Sequence, residues 1–233
     1  MKIRLYDLAG AEDERRFSPH CWRVKMALAH KGLEFEALPW RFVEKEAIAF
    51  SGQGAVPVLV DAERTVADSW RIALYLDEAY PDRPLLMDSE QARGAILALK
   101  YWCDRSVHSA VMPVIISDLF ARLHAKDKSY FRESRERRLG KTLEEFGADP
   151  SQALASLRKS LDPVRPVLVE QPYLGGGSPS YADYILFGAF QWARVVSPIR
   201  LLEPDDPMFP WRERLLDAFG GTARNALGYP VWA

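Results

Sequence analysis

The stretch Gly54-Ala55-Val56-Pro57-Val58-Leu59-Val60-Asp61, followed by Ala67-Asp68-Ser69-Trp70, constrains this chain more than any other. Val56 to Val60 is a short β-branched run, the pattern of a buried strand. Pro57 has no N–H to give to a ladder, so it must head the strand or lie at an edge. Asp61-Ala62-Glu63-Arg64 is polar enough to turn, and Thr65-Val66-Ala67 makes an antiparallel partner. Asp68 and Ser69 are good N-cap types and precede Ile72, Ala73, Leu76 and Ala79, which share one helical face. The prediction is strand, return, strand, helix. A backbone held open beside a proline offers an N–H and a C=O. A helix start carrying Asp and Ser offers groups for an ammonium and a carboxylate. A strand cap and a helix cap account for the same residues on purely local grounds.

The segment before it completes a small α/β unit. Lys2 to Leu8 alternates, with Ile3 and Leu5 on one face, and reads as the first strand. Ala9 to Phe17 is charged and longer than most strand-to-helix loops. Ser18-Pro19 then supplies an N-cap and a proline at the first helical position. That helix runs to Lys31 and stops at Gly32, a natural C′ residue. Phe35-Glu36-Ala37-Leu38 is a second strand, parallel to the first because a helix joins them. Trp40 to Ser51 reads as irregular or weakly helical, and Pro81 and Pro84 close the unit.

Beyond Asp88 the pattern is helical. Gln91 to Lys126 carries a long series of apolar residues, with Pro113 predicted to kink or break it. Tyr130 to Phe146 is a charged helix, and Ser151 to Glu170 is another, interrupted at Pro163 and Pro166. Asp206 to Phe219 is the last, ahead of the tail Tyr229-Pro230-Val231-Trp232-Ala233. Ser180 and Asp183 have the spacing of a capping box at the head of the apolar helix Tyr184 to Val196. They are expected to serve folding, not chemistry.

The chain of 233 residues therefore divides into 1–82 and 88–233. The first is a thioredoxin-like α/β domain, a mixed four-stranded sheet with helices. The second is an all-α C-terminal helical bundle. Apolar residues make up 48%, enough for two cores, and the formal net charge of -1 argues against a nucleic-acid partner. No run approaches the ~20 apolar residues of a membrane span. The N-terminus lacks the apolar core of a signal peptide. Cys21 and Cys103 form no disulfide framework, and the four scattered histidines show no metal-ligand spacing. A cytoplasmic, reduced protein without a metal is expected.

The two-domain pattern resembles the glutathione S-transferases across essentially the whole chain. Ser18-Pro19-His20-Cys21-Trp22-Arg23 with Ala29-His30-Lys31-Gly32 is similar to the first helix of bacterial lignin β-etherases and related fungal transferases. Val66-Ala67-Asp68-Ser69-Trp70, Leu139-Gly140-Lys141-Thr142-Leu143-Glu144 and Glu203-Pro204-Asp205-Asp206-Pro207 fit the same subgroup.

The resemblance implies that glutathione is the co-substrate and Ser18 the catalytic hydroxyl facing its sulfur. A cis Val56-Pro57 bond would present the Val56 backbone to the cysteinyl unit, while Asp68 and Ser69 would grip the γ-glutamyl group. Arg41, Lys45 and Gln53 are candidates for the glycyl carboxylate. Trp22, Tyr101, Trp102, Phe120 and Trp192 are candidate walls for a small hydrophobic or aromatic electrophile, although aromatics at helical spacing are more often core. The implied activity is conjugation of glutathione to that electrophile, with β-aryl ether cleavage as the subgroup's chemistry and a homodimer as the assembly. Two other readings stay open: a thiol-disulfide exchange enzyme using Cys21, and a non-catalytic module of the same fold.

Overall fold

The computed structural model describes residues 2–230. Val231, Trp232 and Ala233 of the predicted tail lie outside the described residues. The first half is β1 (Ile3–Leu8), α1 (Pro19–His30), β2 (Phe35–Trp40), a 3-10 helix (Lys45–Ser51), β3 (Val58–Asp61), β4 (Arg64–Ala67) and α2 (Ser69–Ala79). The sheet order is β2-β1-β3-β4. β1 pairs parallel with β2, from Ile3 opposite Phe35 to Leu8 opposite Trp40. β3 runs antiparallel to both β1 and β4, with Leu59 opposite Leu5 and Val66. This mixed four-stranded sheet with helices is the thioredoxin-like arrangement expected from the strand and cap signals.

Every strand precedes Asp68, and the elements from Glu90 onward are helices. The connection between the halves is pinned from below. Asp77 of α2 accepts the N–H groups of Leu86 and Met87 at 2.9 and 3.1 Å, and its carboxylate lies 2.7 Å from Lys31 Nζ. α3 (Glu90–Trp102) passes through a π turn (Cys103–Val107) into α4 (His108–Arg122). Pro113 lies inside α4 without breaking it. A proline removes one helical hydrogen bond. Here the carbonyl that loses its partner belongs to Ser109, which is exposed on a cavity wall where solvent can take the bond.

The charged helix also differs from the prediction. α5 (Ala125–Leu139) starts earlier and ends at Gly140, whose φ of 71° is the left-handed conformation that glycine tolerates best. Thr142 and Glu145 then form a capping box for the short α6 (Leu143–Phe146). α7 (Pro150–Ser160) and α8 (Arg165–Glu170) are separated at Pro163, as expected, whereas Pro166 sits in the first turn of α8, where a proline is tolerated, and does not interrupt it. α10 (Met208–Gly221) leaves helical geometry at Ala218.

α9 (Tyr181–Val196) is the axis of the helical half and is buried along nearly its whole length. The Ser180–Asp183 capping box is present. The Asp183 carboxylate accepts from the N–H groups of Ser180, Leu174 and Gly175 and from the indole of Trp211, at 2.7–3.1 Å. Four donors on one buried carboxylate tie the start of α9 to a loop and to α10. Further along, α9 crosses α1 so closely that a Cβ on Gly188 would stand 2.4 Å from the carbonyl oxygen of Pro19. Only glycine fits there.

Candidate active site

A cavity of about 830 Å³ opens at the N-terminal end of α1 and extends between the sheet edge and helices α4 and α5. Ser18 heads α1 and is only 4% exposed. Its Oγ accepts the Cys21 N–H at 3.2 Å, so the hydroxyl proton is free to point into the cavity that Ser18 lines. The helix field favours negative charge at the same place.

Val56 lines the cavity beside Ser18, and the Val56-Pro57 bond is cis. Among the described residues no group pairs with the Val56 N–H or C=O. A strand-like ligand can therefore add there in antiparallel fashion. Asp68 is joined to this point by its N–H, which donates to the Pro57 carbonyl at 3.3 Å. Its backbone has φ 75° and ψ 130°, a strained state for a non-glycine residue and one that collects at functional sites. Oδ1 of Asp68 caps α2 through Trp70 and Arg71, leaving Oδ2 for another donor. Ser69 is buried, and its carbonyl accepts the Tyr181 hydroxyl at 2.6 Å.

The three candidates for the carboxylate end separate clearly. Arg41 is engaged by Asp13 at 2.5 Å and by the Gly10 carbonyl at 3.2 Å. Gln53 donates to the Ala55 carbonyl at 2.9 Å and lies off the cavity wall. Lys45 lines the cavity, where its ammonium donates to the Gly54 carbonyl between the rings of Trp40 and Tyr130. Arg135 and Arg138 of α5 line the cavity too, and sequence reasoning missed both. Their segment reads as a solvated charged face, with no local sign that α5 folds back over Lys45. What brings it there is Asp127, which accepts the Phe42 and Val43 N–H groups at 3.2 and 3.1 Å.

Of the predicted aromatic walls, Trp192 lines the cavity and four residues do not. Trp22 is turned inward, donating its indole N–H to the Arg16 carbonyl at 2.7 Å beneath the Lys25 ammonium. Tyr101 is 51% exposed on α3. Trp102 packs on the core, and Phe120 packs on Phe131. The aromatic walls are instead Phe17, Trp40, Phe42, Tyr130, Phe131 and Phe146. Cys21 is fully buried, with Sγ 4.0 Å from the Tyr6 carbonyl. Burial first, and Asp7 second, push its thiol well above the ordinary range.

The far wall holds a charged cluster. The Arg23 guanidinium lies 2.6 Å from Asp104 Oδ1, 3.2 Å from His20 Nδ1 and 3.3 Å from His108 Nε2. Lys100 also contacts Asp104, at 2.9 Å. Ligand atoms of His20, Asp104 and His108 stand within 4.8 Å of one another, a grouping invisible in the scattered histidines of the sequence. All three are already directed at Arg23, whose fixed positive charge takes the place a cation would need.

Glutathione S-transferase N-terminal and C-terminal domain families match residues 14–84 and 96–200. The chain belongs to the glutathione S-transferase family. The mouse omega-1 glutathione S-transferase is 31% identical over 201 residues, covering 82% of this chain and 66% of that protein. Glutathione S-transferase 1 of the carnation Dianthus caryophyllus is 34% identical over 118 residues, 48% of each chain, so that match spans about half of the carnation protein. A Ceriporiopsis subvermispora glutathione S-transferase solved with glutathione superposes with a TM-score of 0.83 at 23% identity, over 94% of this chain and 96% of that one. A Phanerochaete chrysosporium glutathione transferase gives 0.77 at 26% identity, over 95% and 92%.

Proposed function

We propose that this transferase conjugates glutathione to a small aromatic electrophile seated in the cavity beside Ser18. The observation that carries the reading is the Ser18 hydroxyl and the unpaired Val56 backbone side by side on one cavity wall, with Asp68, itself off that wall, tied to the next residue through the Pro57 carbonyl. Glutathione's thiol has a pKa of ~8.5 when free. Donation from Ser18 Oγ, with the α1 field behind it, stabilises the thiolate near neutral pH. The Val56 N–H and C=O pair with the cysteinyl unit. Asp68, with Ser69 beside it, receives the γ-glutamyl ammonium. Lys45, supported by Arg135 and Arg138, takes the glycyl carboxylate.

The electrophile lies among Phe42, Phe131, Phe146 and Trp192. A flat apolar ring suits these walls, which supports aromatic ethers as substrates and an aryloxide as leaving group. A serine hydroxyl forms no mixed disulfide, and Cys21 is buried away from the cavity. Both points favour conjugation over thiol-disulfide exchange. A twofold homodimer is supported by Phe50, 56% exposed on the small domain, and by exposed Tyr101 on the helical one. A monomer mass by light scattering at working concentration would sink that assembly. Among the described residues no helix is long and apolar enough to cross a membrane. Two free, buried cysteines support a reduced, cytoplasmic setting.

The test of the function is binding followed by turnover. Millimolar glutathione is expected to raise Tm, as any ligand of the native state must. The absence of a shift, together with no retention on immobilised glutathione, would leave a non-catalytic module of this fold as the reading.

A further inference from the structure

The two histidines on the cavity wall have no task in the scheme above, yet their geometry is unusually determined. A guanidinium is a donor only. Arg23 Nη1 faces His20 Nδ1 at 3.2 Å and Arg23 Nη2 faces His108 Nε2 at 3.3 Å. Each of these ring nitrogens must therefore present a lone pair. The ring protons are forced to the opposite sides, onto His20 Nε2 and His108 Nδ1. The His20 ring is held at that angle by the His108 ring, edge-on at 5.2 Å, which itself stands edge-on to Trp192 at 5.7 Å.

Charging His20 would place a cation against Arg23 in a confined site. Burial first, and Arg23 second, push its pKa down to about 3. Asp104 does not reverse this, since it is committed to Arg23 and Lys100 and only then faces His108, at 3.8 Å. His20 is thus a neutral imidazole with a fixed N–H. It lines the same cavity as Ser18, two positions further along α1.

We propose that His20, through its Nε2–H, is the hydrogen-bond donor that receives the negative charge developing on an oxygen leaving group. This rests on the conjugation reading above. The thiolate sulfur attacks carbon, the C–S bond forms, and the C–O bond breaks with its electron pair on oxygen. His20 holds that oxyanion by a hydrogen bond and keeps its own proton. The aryloxide then takes from solvent the equivalent of the proton released when the thiol ionised. A neutral imidazole suits this task, because it donates strongly without the cost of burying a charge. A halide leaving group gains little from such a donor.

Two measurements on the full chain test the proposal. Nitrogen NMR of 15N-histidine-labelled protein between pH 5.5 and 8 is expected to show His20 as the neutral Nε2–H tautomer throughout. A protonated ring at pH 6, or an Nδ1–H tautomer, overturns it. Turnover is then compared for phenacyl aryl ethers and phenacyl chloride, which share the carbon attacked but differ in leaving group. His20→Ala is expected to lower kcat on the ethers by about 10²-fold, more for the more basic phenoxides, and on the chloride by less than about twofold. His20→Gln, which keeps an N–H donor, is expected to recover part of the loss. Equal losses on both substrates, or none on the ethers, overturn the proposal and leave conjugation standing. So does wild-type protein that turns over the chloride alone. Wild-type protein inert to both overturns conjugation itself, and the role of His20 with it.

Discussion

The Arg23 guanidinium in α1 and the Asp104 carboxylate in the π turn lie 2.6 Å apart across the junction of the two halves. The Arg23 side chain is wholly buried, so its charge depends on that partner. Burial alone would raise the Asp104 pKa, but Arg23 outweighs it and holds the carboxyl at about 2. Asp104→Asn strands a buried cation and is expected to cost about 2–4 kcal/mol. In a chain of this size that lowers Tm by roughly 5–10 °C, measured by calorimetry. An unchanged Tm would show that the two histidines facing Arg23, not the ion pair, hold this seam.

Stability should fall on acidification from near neutrality, earlier than carboxylates alone would cause. His20, His30 and His108 all have folded pKa values below the ordinary imidazole range, with burial the first cause in each. The unfolded chain therefore takes up protons from about pH 6.5 downward while the folded chain does not. Each group contributes stability that is present above its unfolded pKa and lost as pH falls toward its folded one. For His20 the window runs from about 6.5 to about 3. The limiting slope is about 1.4 kcal/mol per pH unit per group. Asp104 adds the same sign between its ordinary value and about 2. His20→Gln should flatten, without abolishing, the decline of Tm between pH 6.5 and 4.5.

Ser18→Ala and Cys21→Ala form a matched pair. The first removes the donor to the thiolate, and turnover at pH 7 should fall by about 10- to 100-fold. Raising the pH toward 9 should restore part of that rate as glutathione ionises unaided. The second removes a thiol packed against β1 and should leave conjugation within about twofold, with only the cost of a small cavity. Loss of activity in Cys21→Ala with Ser18→Ala intact would reverse the assignment and favour thiol exchange.

Asp68→Asn keeps an oxygen to cap α2 while removing the charge. Tm without ligand should stay within about 1 kcal/mol of the original in stability terms. The Kd for glutathione, by titration calorimetry, should rise about 10-fold or more, since the ammonium loses a charged partner. A large fall in Tm with unchanged affinity would make Asp68 a folding residue only.

The readable parts of this chain are those where a signal is local. Ser18-Pro19, Asp68-Ser69 and Ser180 with Asp183 announce helix starts because a cap acts within one turn, and each start is present. The β1–α1–β2 unit and its parallel pairing follow from element order alone. What could not be read is where long side chains end up. Trp22 shares a segment with Ser18 and His20 yet turns away from both, because the Arg16 carbonyl takes its N–H. Arg135 and Arg138 reach the cavity only because Asp127, about two and three turns earlier on α5, accepts two backbone N–H groups from the segment after β2. The histidine cluster needs the first turn of α1 within side-chain reach of the π turn and the start of α4, which no spacing in the sequence encodes.

Gly188 meets the Pro19 carbonyl backbone to backbone, with no side chain between them. The first turn of α1 thus rests on a hard stop rather than a cushion, and Ser18 and His20 inherit their coordinates from α9. The opposite wall is different in kind: Phe42, Met112, Tyr130 and Arg138 reach in as side chains that can be exchanged. The cavity has a datum edge and an adjustable jaw. New substrate preferences can be written on α4 and α5 without disturbing the chemistry, while any change that lifts α1 off α9 moves the reacting groups themselves.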